Sequence, residues 1–440
     1  MNSREIIVNV LGNVFNEKAY SNIVLNKTLN KAEISAKDKA FITEVVYGTV
    51  KYRYTIDVIL SHYVKKGFKS VEPYVLNVLR SSIYQIRYLS KVPDFAVVNE
   101  AVELSKKHSS GKVAKFVNGV LRNYLRNKDE EYVKGNIEDI LAFKYSFPRW
   151  MVKFFMNDFG KEKCEIILKG LNQVPGVTVR VNNIKKSYEQ AYSELSELGY
   201  TIEEGEICPE ALRIIKGKSI ENNPLFKEGC ITVQDESAML VGMVMDLEEN
   251  MTVIDLCSAP GGKTTHMAEI MNNTGKILAF DIHENKLKLI RDNSERLGIN
   301  NIEANTLDAS EFHEDLEGVA HRVLMDVPCS GLGIIRKKPE IKWNKNKNEL
   351  KDLVNIQRKI LKNGSRYLKK GGILVYSTCT LNKEENEKNI NWFLKENPEF
   401  KLEKIYVGDL DNLIYHQEGY VTILPNKYMD GFFIAKLKKS

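Results

Sequence analysis

Over the first 140 residues, apolar positions recur at intervals of three and four. They run Ile6, Val10, Val14, then Phe41, Val45, Val46 with Gly48, then Val75, Leu79, Ile83, Ile86. That spacing draws one stripe along an α-helix. Polar, glycine- or proline-bearing breaks at 35–38, 67–73, 91–94 and 109–111 cut the stretch into short segments. The pattern predicts a bundle of short antiparallel helices. Helical spacing continues past residue 136, where Phe147-Pro148-Arg149-Trp150 reads as a hinge opening another helix. A strand at 175–182, a helix at 187–199 and extended chain at 201–215 then predict a small α/β unit.

From about residue 236 strands and helices alternate. Strands are expected at 251–259, 276–282, 301–309, 321–329 and 371–379, with helices after 262, after 284, over 349–368 and after 384. Strands rich in Val, Ile and Leu that alternate with helices predict a doubly wound, mostly parallel sheet. In such sheets the site lies beyond the carboxyl ends of the strands. The expected fold is multidomain: an all-helical domain over 1–142, linker helices plus a small α/β subdomain over 143–235, and an α/β, Rossmann-like catalytic domain over 236–440.

Composition narrows the class. With 43% hydrophobic and 28% charged residues in 440, the chain reads as an ordinary globular protein rather than a disordered or fibrous one. No run of about 18 apolar residues suggests a membrane span. The N-terminal MNSREIIVNVLGNVF lacks the apolar run and cleavage site of a signal peptide, so a cytoplasmic location is expected. Six scattered cysteines without a CxxC pair read as reduced thiols, and no metal site is expected. The net charge of +6 is uneven, with +9 over residues 1–150 and −3 over the remainder. A polyanion contacted from the front end and a plain solvated surface both account for that balance. The same two readings hold for 112–128, where Lys112, Lys115, Arg122, Arg126 and Lys128 interleave with Phe116, Val120, Leu121 and Tyr124.

The chemistry collects at the expected strand ends. Cys257-Ser258-Ala259-Pro260-Gly261-Gly262-Lys263 bridges a strand and a helix, where glycines let backbone approach a ligand and the helix start offers free N–H groups. A Walker phosphate loop requires glycine five positions before Gly262, and Cys257 stands there. A nucleotide-type cofactor is the better reading, with Asp281 at the end of the next strand placed to hold ribose hydroxyls. The competing reading of Asp281 is a surface acid opening the helix at Glu284. Further on, Asp326-Val-Pro-Cys329 and Ser-Thr-Cys379 put a carboxylate and two thiols at neighbouring strand ends. Methylation of a pyrimidine at C5 needs such a set. A thiolate adding to C6 makes C5 nucleophilic enough to attack a sulfonium methyl group, and a nearby acid stabilises the ring charge. The residues alone do not rank the two thiols.

The strings CSAPGGKTT, AFDIHENKL, MDVPCSGLG and VYSTCTLNKEEN closely resemble the RNA cytosine-5 methyltransferases that use S-adenosylmethionine. Upstream, AKFVNGVLRNYLR, FPRWMV, VPGVTVRVN and GCITVQDESAMLV resemble the Sun/RsmB branch of that family. The resemblance spans essentially the whole chain. It implies a NusB-like helical domain, a small RNA-recognition-like subdomain and a catalytic sheet acting on 16S ribosomal RNA, with the chain acting as a monomer. It also implies residue roles: Cys257 to Lys263 as the cofactor loop, Asp281 as the ribose acid and Asp308 as the acid near the adenine. Asp326 would reach the methyl-donor and cytosine region, Cys379 would be the nucleophile, and Cys329 would assist release. Leu332 stands where the family commonly has Thr, and Ser258 where Ala is common; neither change removes a reacting group. The competing functions are the same chemistry on transfer RNA or another ribosomal site, and an RNA-binding assembly or antitermination factor with a vestigial catalytic domain. Retention of both Cys329 and Cys379 argues against the last.

Overall fold

The computed structural model describes residues 2–31 and 33–440. The chain forms two compact units, Met1–Asn172 with Lys337–Asn344, and Gln173–Arg336 with Lys345–Ser440.

The first unit is helical. Its helices include Ser3–Asn16, Ala36–Lys51, Arg53–Tyr63, Pro73–Tyr88, Asp94–His108 and Gly111–Arg126; breaks fall at or beside the four polar segments, while those at 17–20 and at Tyr52 lie outside them. Local chemistry sets the helix starts: the side chains of Asn2, Ser35 and Asn136 accept from the backbone N–H groups of Arg4, Asp38 and Asp139. The apolar stripes close on one core, in which Val45, Val46, Leu79, Ile83, Val117 and Leu121 are fully buried. Gly48 sits on a buried stripe because a Cβ there would run into the Tyr84 ring.

The short segment Lys337–Asn344 is built into this helical unit, although the sequence reading runs it on with the catalytic domain. Trp343 packs on the helical core and donates Nε1–H to the Val50 carbonyl at 2.9 Å. Buried Glu340 accepts from the Ser21 N–H (3.2 Å) and hydroxyl (2.7 Å). Lys342 is buried with no carboxylate partner among the described residues. Its ammonium donates to the Ser146 carbonyl (3.0 Å), Asn172 Oδ1 (2.9 Å) and the Lys51 carbonyl (3.2 Å), and lies 3.6 Å from the Phe147 ring centroid.

In the second unit, β1 (Val177–Val181), β2 (Thr201–Glu204), β3 (Ala211–Lys216) and β4 (Ile231–Val233) form a small antiparallel sheet in the order β2-β3-β1-β4. The stretch read as extended chain at 201–215 is therefore a hairpin. Helix Tyr188–Glu197, started by a Ser187/Gln190 capping box, covers one face through Ala191 and Leu195.

The larger sheet holds β5 (Thr252–Asp255), β6 (Lys276–Asp281), β7 (Ile302–Thr306), β8 (Ala320–Asp326) and β9 (Leu368–Thr378). These five run parallel in the order β7-β6-β5-β8-β9. Beyond β9 the sheet is antiparallel: β13 (Phe432–Lys439) pairs with β9, and β10 (Phe400–Glu403), β11 (Leu413–Tyr415) and β12 (Val421–Ile423) extend that edge. The strand order reverses between β5 and β8. A crevice opens at such a switch point, outside the carboxyl ends.

Candidate active site at the carboxyl ends of the parallel strands

Register places the expected residues. Asp255, Asp281 and Asp326 are the last residues of β5, β6 and β8. Asp326 lies level with Ser377 on β9, so Cys329 and Cys379 leave adjacent strands three and two residues further on. Their Sγ atoms are 3.3 Å apart. Beside them, Lys263 on the first turn of helix Gly262–Ile270 donates to Asp326 Oδ2 at 2.7 Å, and the Ser377 hydroxyl donates to Asp326 Oδ1 at 2.8 Å. Lys263, Asp326, Cys329 and Cys379 therefore form one constellation.

Its electrostatics follow from burial and from close neighbours. The hydrogen bond with Cys379, then burial, pushes the Cys329 thiol well above the usual cysteine range. Burial pulls the Lys263 ammonium down, but Asp326 and then Cys379 outweigh it, so the group stays above the ordinary lysine value. The Lys263 ammonium is thus a fixed cation facing Asp326 and the Cys379 sulfur. Asp255 lies deeper, with the Thr264 hydroxyl donating to it at 2.7 Å. Burial pushes its carboxyl up to about 7, with the like charge of Asp326 adding to the shift and Thr264 opposing it.

The glycine turn is held in several ways. Ser258 donates both N–H and hydroxyl to the Phe280 carbonyl at 2.8 Å, and the Gly261 N–H donates to the Ser258 carbonyl at 2.7 Å. Gly261 takes φ +101°, a left-handed conformation that suits glycine. A Cβ built on Gly262 would meet nothing within 4 Å, so space is open over the helix start. Cys257, Ala259 and Pro260 complete the loop, with the Pro260 carbonyl accepting from the Asn293 amide at 3.1 Å. Asp281 spends one oxygen on the His283 N–H and Asp308 one on the Ser310 N–H, each at 2.9 Å. Each carboxylate is thereby fixed with a second oxygen left to accept. Acids that accept from hydroxyl and amino groups, beside an open helix N-terminus that takes a carboxylate, match the donors and acceptors of a nucleoside bearing an amino acid.

Two supporting groups escape a reading of the sequence. Glu385, fully buried, accepts from the Ser330 N–H (2.8 Å), the Ser330 hydroxyl, Gln357 Nε2 (2.9 Å) and Asn382 Nδ2 (2.9 Å). The Ser330 hydroxyl also meets that of Thr380 at 2.7 Å. Since Ser330 follows Cys329 and Thr380 follows Cys379, one carboxylate ties the two thiol loops together. Arg180 on β1, also fully buried, pairs with Glu269 at 2.7 Å and donates to Gln234 Oε1, the Gly262 carbonyl (3.0 Å) and Thr265 Oγ1 (3.1 Å). The small sheet is thus bonded to the first turn of helix Gly262–Ile270. A buried charge of this kind persists only when paired and hydrogen-bonded.

A switch-point crevice with a glycine turn, acids at successive strand ends and a helix start facing open space defines the methyltransferase class of doubly wound fold. The comparisons agree. Residues 242–438 match the 16S rRNA methyltransferase RsmB/F family, 1–126 the NusB family, and 147–221 the ferredoxin-like domain of RsmF/B-like methyltransferases. The chain is 37% identical to a probable ribosomal RNA small subunit methyltransferase B of Bacillus subtilis, covering 99% of this chain and 98% of that one. It is 33% identical to the ribosomal RNA small subunit methyltransferase B of Proteus mirabilis, covering 92% of each. Among solved structures, PH0851 superposes with a TM-score of 0.85 at 29% identity, over 100% of this chain and 99% of that one. A methyltransferase homolog from Pyrococcus horikoshii gives 0.62 at 28%, over 70% and 100%. The chain belongs to the ribosomal RNA small subunit methyltransferase B family. Among the described residues, no helix is long and apolar enough to cross a membrane, and no cluster of His, Cys, Asp and Glu is arranged to hold a metal.

Proposed function

We propose that this protein methylates C5 of a cytosine in 16S ribosomal RNA, taking the methyl group from S-adenosylmethionine and using Cys379 as the nucleophile. The observation that carries the reading is the pair of thiols 3.3 Å apart at adjacent strand ends, beside the Lys263–Asp326 ion pair.

S-adenosylmethionine, when bound, supplies an electrophilic methyl group. Asp281 would hold its ribose hydroxyls, Asp308 would face its adenine, and the Cys257–Lys263 loop would take its amino-acid end. The remaining work falls to the chain. The Cys379 sulfur, as a thiolate beside the Lys263 ammonium, forms a bond to C6 of the cytosine. Electron density displaced onto the ring makes C5 nucleophilic. Asp326, fixed by Lys263 and Ser377, would steady the charge on the ring. Once C5 carries the methyl group, a base takes the C5 proton, the electron pair of that C–H bond restores the C5–C6 double bond, and the sulfur–C6 bond breaks with its pair returning to Cys379 as thiolate. Cys329 assists that release.

The two thiols make the reading testable on one gel. Cys379→Ala should abolish both methylation and covalent attachment to labelled 16S rRNA. Cys329→Ala should still add to C6 and accumulate a covalent complex that survives denaturing electrophoresis. A trapped band in Cys379→Ala and none in Cys329→Ala would reverse the roles. Bisulfite sequencing of 16S rRNA from a deletion strain identifies the cytosine, and loss of no mark would overturn the substrate.

A further inference from the structure

Helix Gly262–Ile270 serves the strand ends through two neighbouring side chains of its first turn. Lys263 donates to Asp326 Oδ2 and the Thr264 hydroxyl to Asp255 Oδ2, each at 2.7 Å. The residues on either side of that pair are held from elsewhere. Arg180 on β1 donates Nη1–H to the Gly262 carbonyl at 3.0 Å and Nη2–H to Thr265 Oγ1 at 3.1 Å. Residues three apart on a helix are neighbours on one face. Arg180 therefore grips one side of the turn, while Lys263 and Thr264 reach the carboxylates.

The remaining bonds of the guanidinium make the grip firm. Its Nε–H and other Nη2–H donate to the two oxygens of Glu269, on the same helix, at 2.8 and 2.7 Å, and its other Nη1–H donates to Gln234 Oε1. All five N–H groups are used, and the side chain is fully buried. Gly262, Thr265 and Glu269 lie three and four apart, one stripe along the helix. Two residues along the chain, Asn182 donates its amide to the Leu297 carbonyl at 2.9 Å, at the end of helix Glu284–Leu297. The small sheet is thus bonded to both helices that follow β5 and β6. Stability alone does not call for such a fork, because a buried ion pair is about neutral against well-packed apolar residues of similar volume. A planar fork that meets one helix at three places fixes where that helix starts.

We propose that Arg180 is a positioning residue for methyl transfer: from the small sheet it fixes the first turn of helix Gly262–Ile270, and through that turn the glycine loop and the Lys263 ammonium. It touches neither cofactor nor substrate. The assignment rests on the reading of the crevice as the S-adenosylmethionine site.

The test uses full-length protein and three variants. Arg180→Met combined with Glu269→Met removes both charges together, so no lone charge is left buried. The Thr265 hydroxyl then still donates to the Gly262 carbonyl at 3.2 Å. Arg180→Lys keeps the charge opposite Glu269, but one ammonium cannot span Glu269, Gly262 and Thr265. Thr265→Val deletes one bond to the turn and leaves the ion pair intact. Leu195→Ala is the control, opening a cavity beside Val179 and Val181 on the other face of β1.

All are measured below their unfolding midpoints. Both Arg180 variants should bind S-adenosylmethionine at least tenfold more weakly by calorimetry and lose at least tenfold in single-turnover methylation at saturating cofactor, and Thr265→Val about threefold in each. The backbone amides of 265–270 should exchange with deuterium faster relative to those of β8. Leu195→Ala should change none of the three. Wild-type affinity and rate in the folded Arg180 variants would overturn the proposal. So would equal losses in Leu195→Ala, which would reduce Arg180 to general support of the sheet. A wild-type protein that binds no S-adenosylmethionine would refute the reading of the crevice. Exchange separates the two failures: faster exchange confined to 265–270 would still sustain the grip on the turn, and unchanged exchange would end it.

Discussion

Glu385 gives the sharpest test of how the site is held. Glu385→Gln keeps the shape of the side chain and replaces one acceptor oxygen with a donor. Oε2 receives the Ser330 N–H and Gln357 Nε2, neither of which can reverse, so the new amide nitrogen avoids that side. Placed at Oε1, the nitrogen can donate to the Ser330 hydroxyl, which turns to accept, but it opposes the Asn382 amide donor. The least costly arrangement therefore loses the Asn382 bond and the charge assistance of the other three. With hydrogen bonds to charged groups worth about 1.5–3 kcal/mol and neutral ones about 1, a net loss of about 3 kcal/mol follows. Glu385→Ala strands every donor and should cost more. If Glu385 only stabilised the fold, a variant still folded at the assay temperature would keep its kcat. If it positions Cys329 and Cys379, kcat should fall at least tenfold in folded Glu385→Gln while KM for the cofactor is unchanged. Denaturant unfolding and single-turnover methylation on the same preparation read the two effects separately. Wild-type stability together with wild-type kcat would refute the reasoning.

Three further outcomes are expected. Asp281→Ala should lower affinity for S-adenosylmethionine at least tenfold by calorimetry, because it removes charge-assisted bonds to the ribose; unchanged affinity would return Asp281 to the role of a helix-opening acid. The folded Asp255 carboxyl titrates at about 7, above its unfolded value near 4, so the folded state holds the extra proton and stability should fall as pH rises through that window. Asp255→Asn should remove the slope, and a slope that persists would locate it elsewhere. Burial and the charge of Lys51 hold the Lys342 ammonium well below the usual lysine range, so stability should rise with pH until the unfolded lysine titrates near about 10. Lys342→Met should flatten that rise, and an unchanged profile would show that Lys342 stays charged throughout.

Some of this was legible from the chain and some was not, for physical reasons. The helical stripes and the Val- and Ile-rich parallel strands announce themselves by period and composition, and the two thiols stand out because strand ends are where doubly wound sheets bind. The antiparallel edge did not show: FKLE, LIY and VTI are too short to carry a pattern, and they become strands by pairing, FKLE and VTI along β13 and LIY along VTI. Arg180 was hidden by the ordinary alternation of a strand. Period two puts Thr178, Arg180 and Asn182 on what reads as the solvent face, yet that face is buried, with Arg180 meeting the helix after the glycine turn. Glu385 lies in Lys-Glu-Glu-Asn-Glu, which reads as the solvated opening of a helix. Only the fold shows that its middle carboxylate points inward.

The site also depends on groups far from the reacting atoms. The loop carrying Cys329 continues to Gly333, whose N–H donates to the Cys379 carbonyl at 3.0 Å and whose carbonyl accepts from the Gly431 N–H at 2.9 Å. A Cβ on Gly333 would collide with the Gly431 carbonyl, so the close approach of the two backbones requires glycine there. Three residues on, fully buried Arg336 pairs with Asp430 at 2.6 Å and Asp235 at 2.8 Å, and donates to the Asn426 and Lys427 carbonyls. The thiol loops and the 426–431 turn are thus one hydrogen-bonded block, closed at Arg336, immediately before the chain enters the helical unit at Lys337. Removing one partner of such a buried pair leaves an uncompensated charge. The 3.3 Å sulfur separation on which the proposed chemistry turns is fixed from both ends of its loop: by Glu385 at Ser330 and by Arg336 where the chain leaves.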